Sequence, residues 1–260
     1  MNAKWLGVIF AALTSVAAFG IGCTVQANSI ASLAQETFGI SPWVSGALMT
    51  ILTAVVILGG IQSIAKVCEL LVPFMAGFYV LGCAYLLVLH WETLPAAFRL
   101  IFSSAFSGQA AIGGFIGAGM KEAIRFGVAR GLFSNESGLG SAPIVAAAAM
   151  TKNPVRQALV SSTGTFWDTV VVCAMTGLVV VNSGDWHAGL KGAALTKTAF
   201  SHIPHVGPIV LTVGLLTFVF STILGWSYYG EKAAEYLFGP KVILPYRWLW
   251  VVAVMVGSVA

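Results

Sequence analysis

The chain has 260 residues, of which 58% are hydrophobic and only 8% charged, with a formal net charge of +4. A soluble domain carries about 25% charged residues, so this chain cannot cover itself with a water-compatible surface. Soluble enzymes, secreted disulfide scaffolds and disordered or nucleic-acid-binding chains are excluded, and an integral membrane protein embedded in the lipid bilayer remains.

A spanning helix needs roughly 20 mostly apolar residues. Seven stretches answer to that: 5–33, 43–61, 70–90, 100–120, 157–181, 207–229 and 246–260, the last cut short. The alternation typical of membrane barrels is missing, so the expected fold is all-α, a single transmembrane domain over 1–260. Lys and Arg gather in cytoplasmic loops. Lys4, Lys66, Lys121, Arg125, Arg130, Lys152, Arg156, Lys232, Lys241 and Arg247 fall on one side of these spans, against Arg99, Lys191 and Lys197 on the other. That bias places the N-terminus and 121–156 in the cytoplasm, and 182–206 outside. The first span begins almost at Met1 and the last stops inside an apolar run at Ala260, so a domain incomplete at both ends is expected, an internal fragment of a longer chain.

Several places depart from plain lipid-facing helix. Gln26, Asn28 and Ser29 interrupt the first run, FGIGCTVQANSIA. A buried amide needs a partner, which a neighbouring helix or a substrate cavity can supply. The fourth run holds Gly108, Gly113, Gly114, Gly117 and Gly119. Glycine costs about 1 kcal/mol relative to alanine in a helix interior, so this stretch suits either close helix packing or an unwound segment whose free backbone groups meet substrate and cation.

The segment 131–150, GLFSNESGLGSAPIVAAAAM, reads as a cytoplasmic segment, with Ser141 and Pro143 opening a short apolar helix. Arg130 and Glu136 at its edge could pair as an inner gate, although exposed pairs are worth little. Asp168 lies near the middle of the fifth run, where a charge costs about 3 kcal/mol or more. It either takes part in cation coupling or gating, or makes a structural hydrogen bond. In the sixth run, Ser221 and Thr222 offer adjacent hydroxyls, hard-oxygen ligands for sodium, or bond back to their own helix. Trp226 shares a face with Thr222. His202 and His205 have a metal-like spacing but no third ligand, and the four cysteines lack metal or redox spacing, so no metal other than sodium is expected. No two catalytic groups face each other at depth, so an enzyme is not expected.

FGIGCTVQANSIA, VILGGIQSIAKVCELLVPFMAG, GVARGLFSNESGLGSAPIVAAAA and STILGWSYYGEKAAEYLFG together resemble the alanine or glycine:cation symporter family, the sodium:alanine symporters. The resemblance runs along nearly the whole chain, with Cys23 and Ser137 standing where Asn and Ala are expected. It implies a secondary active transporter that couples alanine or glycine uptake through the cell membrane to sodium, or to protons, with no cofactor. It also implies a leucine-transporter-like fold of two inverted repeats, of which this chain would run from the third to the ninth core helix. Carried over by position, Gln26, Thr222 and Trp226 would line the substrate cavity, Ser221 and Thr222 would hold sodium, and Gly113 and Gly114 would mark the unwound segment. A reading from another class is a non-transporting membrane scaffold or accessory subunit, in which the same polar residues serve packing.

Overall fold

The computed structural model describes residues 3–106, 125, 127–129, 131–136, 138–188, 192–203 and 207–260, and among these every regular element is helical. Helix α1 covers Lys4–Phe38, α2 Pro42–Leu58, α3 Gly60–Leu89 and α4 Leu94–Phe106. After the short α5, Ala142–Ala146, come α6 (Pro154–Ser183), α7 (Gly192–Phe200), α8 (Gly207–Phe238) and α9 (Ile243–Val259). Among the described residues, α1, α3, α6, α8 and the stretch Pro240–Val259 are each long and apolar enough to cross a bilayer, and α2 is a shorter apolar helix. Trp5, Leu13, Val16, Trp43, Leu70 and Leu81 stand exposed on these helices. Large apolar side chains turned outward in such numbers suit lipid rather than water. The chain is a multi-pass helical membrane protein.

Local chemistry sets the ends. Gly39, at φ +68°, closes α1 in the left-handed conformation that glycine adopts without a Cβ clash. Pro42 opens α2 at a position that needs no backbone donor. At the start of α6 the Asn153 side chain accepts from the amides of Val155 and Arg156, with Pro154 following as the first helical residue. Helix α3 begins ten residues before the apolar run at 70–90, because Gln62, Ser63, Lys66 and Glu69 interrupt the hydropathy without opposing helix formation. The Gly-rich run containing Gly113 and Gly114 lies outside the described residues.

Two long helices carry π-helical turns in their middle: Ala18–Thr24 in α1 and Phe166–Cys173 in α6. A π turn accommodates one extra residue, displaces the local hydrogen-bond ladder and is frequent at functional positions.

The contacts divide the chain into two compact units. The first comprises Met1–Gly77 and Thr212–Ala260. Its α9 packs most extensively on α2 and also against α1. Trp250, Ile57, Val254, Thr53, Cys23, Ile223 and Leu224 are fully buried there. Phe19 in the first π stretch lies 5.1 Å from Trp250 and 5.0 Å from Tyr246, ring centre to ring centre. The Tyr246 hydroxyl donates to the Ser15 carbonyl at 3.0 Å. The second unit is Phe78–Leu211. There α6 packs against α4, α5 and α7, and Tyr79 stacks on the fully buried Phe200 at 5.7 Å.

Candidate functional site

In the first unit the site is built where the π stretch of α1 meets α8. Gly22 lies so close to Trp226 that a Cβ there would overlap the Trp226 Cβ and ring. Trp226 is only 4% exposed, and its ring meets Tyr229 edge-on at 5.5 Å. The indole therefore fills the space left by the missing glycine side chain.

Gln26, one turn beyond Gly22, is half-buried, and its Nε2 donates to the Ile21 carbonyl at 2.9 Å. The amide thus bonds a carbonyl of the π stretch, while Asn28 is exposed. On α8 the Ser221 and Thr222 hydroxyls both donate to the Phe218 carbonyl, at 2.8 and 3.0 Å. A hydroxyl has one proton and two lone pairs, so each retains acceptor capacity for a cation. The structure brings Gly22 and Trp226 together, with Gln26 and Thr222 each four residues away along their helices.

The second unit holds Asp168, inside the π stretch of α6. Ser134 Oγ donates to both carboxylate oxygens, at 2.9 and 2.8 Å, and Thr169 Oγ1 donates to one of them at 3.1 Å. Ser134 also lies 3.5 Å from the Cys173 sulfur. Asp168 is therefore tied by the Ser134 hydroxyl to the 131–135 helical segment.

The sequence reading passed over a buried ion pair. Arg247 on α9 grips Glu231 on α8 through two parallel bonds, Nε to Oε2 at 2.6 Å and Nη2 to Oε1 at 2.9 Å. Its Nη1 reaches the Leu58 carbonyl at the end of α2, at 3.3 Å. Glu231 is 5% exposed. Two bonds of this fork geometry are the strong form of the Arg–carboxylate contact. The signal was present: a Glu after the apolar GWSYYG run and an Arg inside YRWLW each need a partner if buried.

Of the other sequence candidates, Gly113, Gly114 and Arg130 lie outside the described residues. Glu136 is described at φ +57°, a left-handed conformation uncommon outside glycine. His202 bonds Asp185 at 3.1 Å, while His205 lies outside the described residues. Among the described residues no cluster of His, Cys, Asp and Glu could hold a metal ion, and the four cysteines are free.

Five described helical stretches are thus apolar and long enough to cross a bilayer, and two of them carry π turns at mid-length with polar side chains beside them. Residues 1–260 match the sodium:alanine symporter family, and the chain belongs to it. Across 99% of its length it is 50% identical to the sodium/alanine symporter AgcS of Methanococcus maripaludis, covering 57% of that protein. It is 47% identical to an uncharacterized transporter of Haemophilus influenzae, over 99% of the chain and 58% of the relative. The amino-acid carrier protein AlsT of Bacillus subtilis is 33% identical over the whole chain, which covers 55% of it. The chain thus spans little more than half the length of the curated relatives it matches.

Proposed function

We propose that the chain forms a large part of a secondary active transporter that carries alanine or glycine into the cell by alternating access, coupled to sodium. The observation that supports this most is the seating of Trp226 on Gly22. It sets the two expected walls of a substrate cavity, α1 with Gln26 and α8 with Thr222, against each other at a π turn.

In this reading Trp226 caps the cavity against larger side chains, and Gln26 and Thr222 offer polar contacts beside it. Ser221 and Thr222 hold sodium through the lone pairs left after both donate to Phe218. Gly113 and Gly114 supply an unwound segment whose half-helix ends meet the charges of the zwitterion. Asp168 takes part in coupling, and Arg130 with Glu136 closes an inner gate. The architecture is leucine-transporter-like, this chain running from the third to the ninth core helix over the seven spans predicted from sequence. The N-terminus and 121–156 face the cytoplasm, by the bias of basic residues. No cofactor takes part.

The test is uptake of labelled alanine by the protein in vesicles under a sodium gradient. Thr222→Val is expected to raise the sodium concentration needed for half-maximal uptake, and Trp226→Leu to admit larger neutral amino acids. Uptake indifferent to sodium and to both substitutions overturns the site assignment. No uptake under any gradient returns the scaffold reading.

A further inference from the structure

We propose that Gly22 is a positioning residue for substrate selection. It sets how far the Trp226 indole withdraws from the cavity, and so whether the space beside Gln26 and Thr222 admits a methyl group or a hydrogen alone. The inference rests on the reading of α1 and α8 as cavity walls, and adds to it the residue that fixes the size limit.

The register of the two helices follows from their closest approaches. A Cβ on Gly230 would stand 3.0 Å from the Ala18 Cβ, and one on Gly22 would overlap Trp226. Position 18 thus faces 230 and position 22 faces 226, so α1 and α8 run antiparallel here in steps of four. One step further along, Gln26 and Thr222 come to the same level. Residues four apart share a helical face, so these two polar side chains and the indole border one space.

Side chains on a helix lean toward its N-terminus, over the preceding turn. The Trp226 indole therefore lies over the turn that carries Thr222. Gln26 leans in the same sense along α1, as its bond to the Ile21 carbonyl shows, and so toward Gly22. Because the helices are antiparallel, amide and indole converge on the space from opposite ends.

The neighbours of the indole leave it one way to move. On the α1 side, a Cβ on Gly22 would lie 2.5 Å from the Trp226 Cγ, well inside the roughly 3.5 Å of ordinary carbon contact. Toward the C-terminal end of α8, Tyr229 meets the ring edge-on at 5.5 Å and is itself only 7% exposed. Helix α1 is also held from behind. A Cβ on Gly257 of α9 would stand 2.5 Å from the Thr24 Cα, and Phe19 packs on Tyr246 and Trp250. A methyl group at position 22 therefore turns Trp226 about its own Cβ and sweeps the ring over Thr222, into the cavity.

Alanine and glycine differ by one methyl group. A cap seated flush on a glycine keeps room for that methyl. A cap lifted by a Cβ takes the room away, which excludes alanine before it excludes glycine. Gly22 acts through the ring it seats, and Tyr229 is the stop on the other side. Enlarging position 22 shrinks the cavity, and reducing position 229 widens it.

The experiment measures sodium-driven uptake of labelled alanine and labelled glycine by the protein in proteoliposomes. In Gly22→Ala the KM for alanine is expected to rise about tenfold or more relative to that for glycine, since one carbon in a fitted apolar pocket is worth a factor of about 10–200. Adding Trp226→Phe shortens the displaced ring and should bring the ratio back toward that of the unaltered protein. Gly20→Ala, whose methyl group meets nothing within 4 Å, should leave the ratio unchanged. Tyr229→Leu should move selection the other way, so that α-aminobutyrate, one methylene larger than alanine, inhibits alanine uptake more strongly. That variant decides the matter where Gly22→Ala fails to fold. Equal rises in both KM values in Gly22→Ala, or a fall in kcat alone, would make Gly22 a packing residue and overturn the proposal. A ratio that Trp226→Phe does not restore, or inhibition by α-aminobutyrate unchanged in Tyr229→Leu, overturns it as well. An unaltered protein that carries neither amino acid overturns the transport reading, and this inference with it.

Discussion

Gly22 and Trp226 depend on each other atom by atom. A methyl group at position 22 lands in the indole, whereas one at Gly20, two residues earlier, meets nothing within 4 Å. Gly22→Ala is therefore expected to destabilise the fold by about 1–3 kcal/mol, the usual cost of overpacking, while Gly20→Ala keeps its space. Thermal unfolding in detergent compares the two, and equal melting temperatures would remove Gly22 from the site. Sequence reading singled out Trp226 from its helical spacing to Thr222, and the family resemblance supplied a role. It could not supply Gly22, because a glycine announces a close approach only once its neighbour is known. Gln26 stood out as an amide in an apolar run. That its nitrogen would bond Ile21 depended on a π turn, which hydropathy does not encode.

At the level of elements, helix existence was legible and helix register was not. Runs of apolar residues announce a spanning helix whatever its internal hydrogen bonding, so α1, α6 and α8 could be read directly, while their π turns left no compositional mark. The break between α2 and α3 is set by Gly59 and Gly60. Gly60 adopts φ +72°, and the Arg247 guanidinium lies 3.2 Å from where its Cβ would stand. Gly60→Ala should cost about 1–2 kcal/mol through the left-handed backbone alone. A melting temperature equal to that of the unaltered protein would show that α3 can restart without the glycine. The cap of α6 makes a second case. Asn153→Ala removes the acceptor for two amides and should cost about 1 kcal/mol, seen as faster amide exchange confined to the first turn of that helix.

Across the molecule, charge is scarce, and its placement carries most of the information. Glu231 and Arg247 are inside long helices and largely hidden, with side-chain exposures of 7% and 18%. Removing one partner of a buried pair strands the other, typically at about 3–5 kcal/mol. Glu231→Gln and Arg247→Met should each lower the melting temperature markedly. The double variant should be less destabilised than the sum of the two, since neither charge is left alone. Strict additivity would show that the pair contributes nothing jointly. The same scarcity made orientation predictable: ten basic residues fall on one side of the predicted spans and three on the other. Cysteine labelling from outside the cell should reach a residue introduced near Glu92 and leave one near Lys152 unmodified, and the reverse pattern would invert the topology. The class of protein was thus written in composition, whereas the pairing of Glu231 with Arg247 was not. Sixteen residues and a turn separate them, and only packing brings them together.

The two π turns have a consequence for descent. Each is a helix carrying one residue more than its regular ladder can hold, kept in place without a break in the chain. Deleting one residue from Ala18–Thr24 should restore an even ladder and rotate everything beyond it by about 100°, given 3.6 residues per turn. Gln26 would then swing away from its present face. A relative lacking that residue would need a different side chain to do the same work.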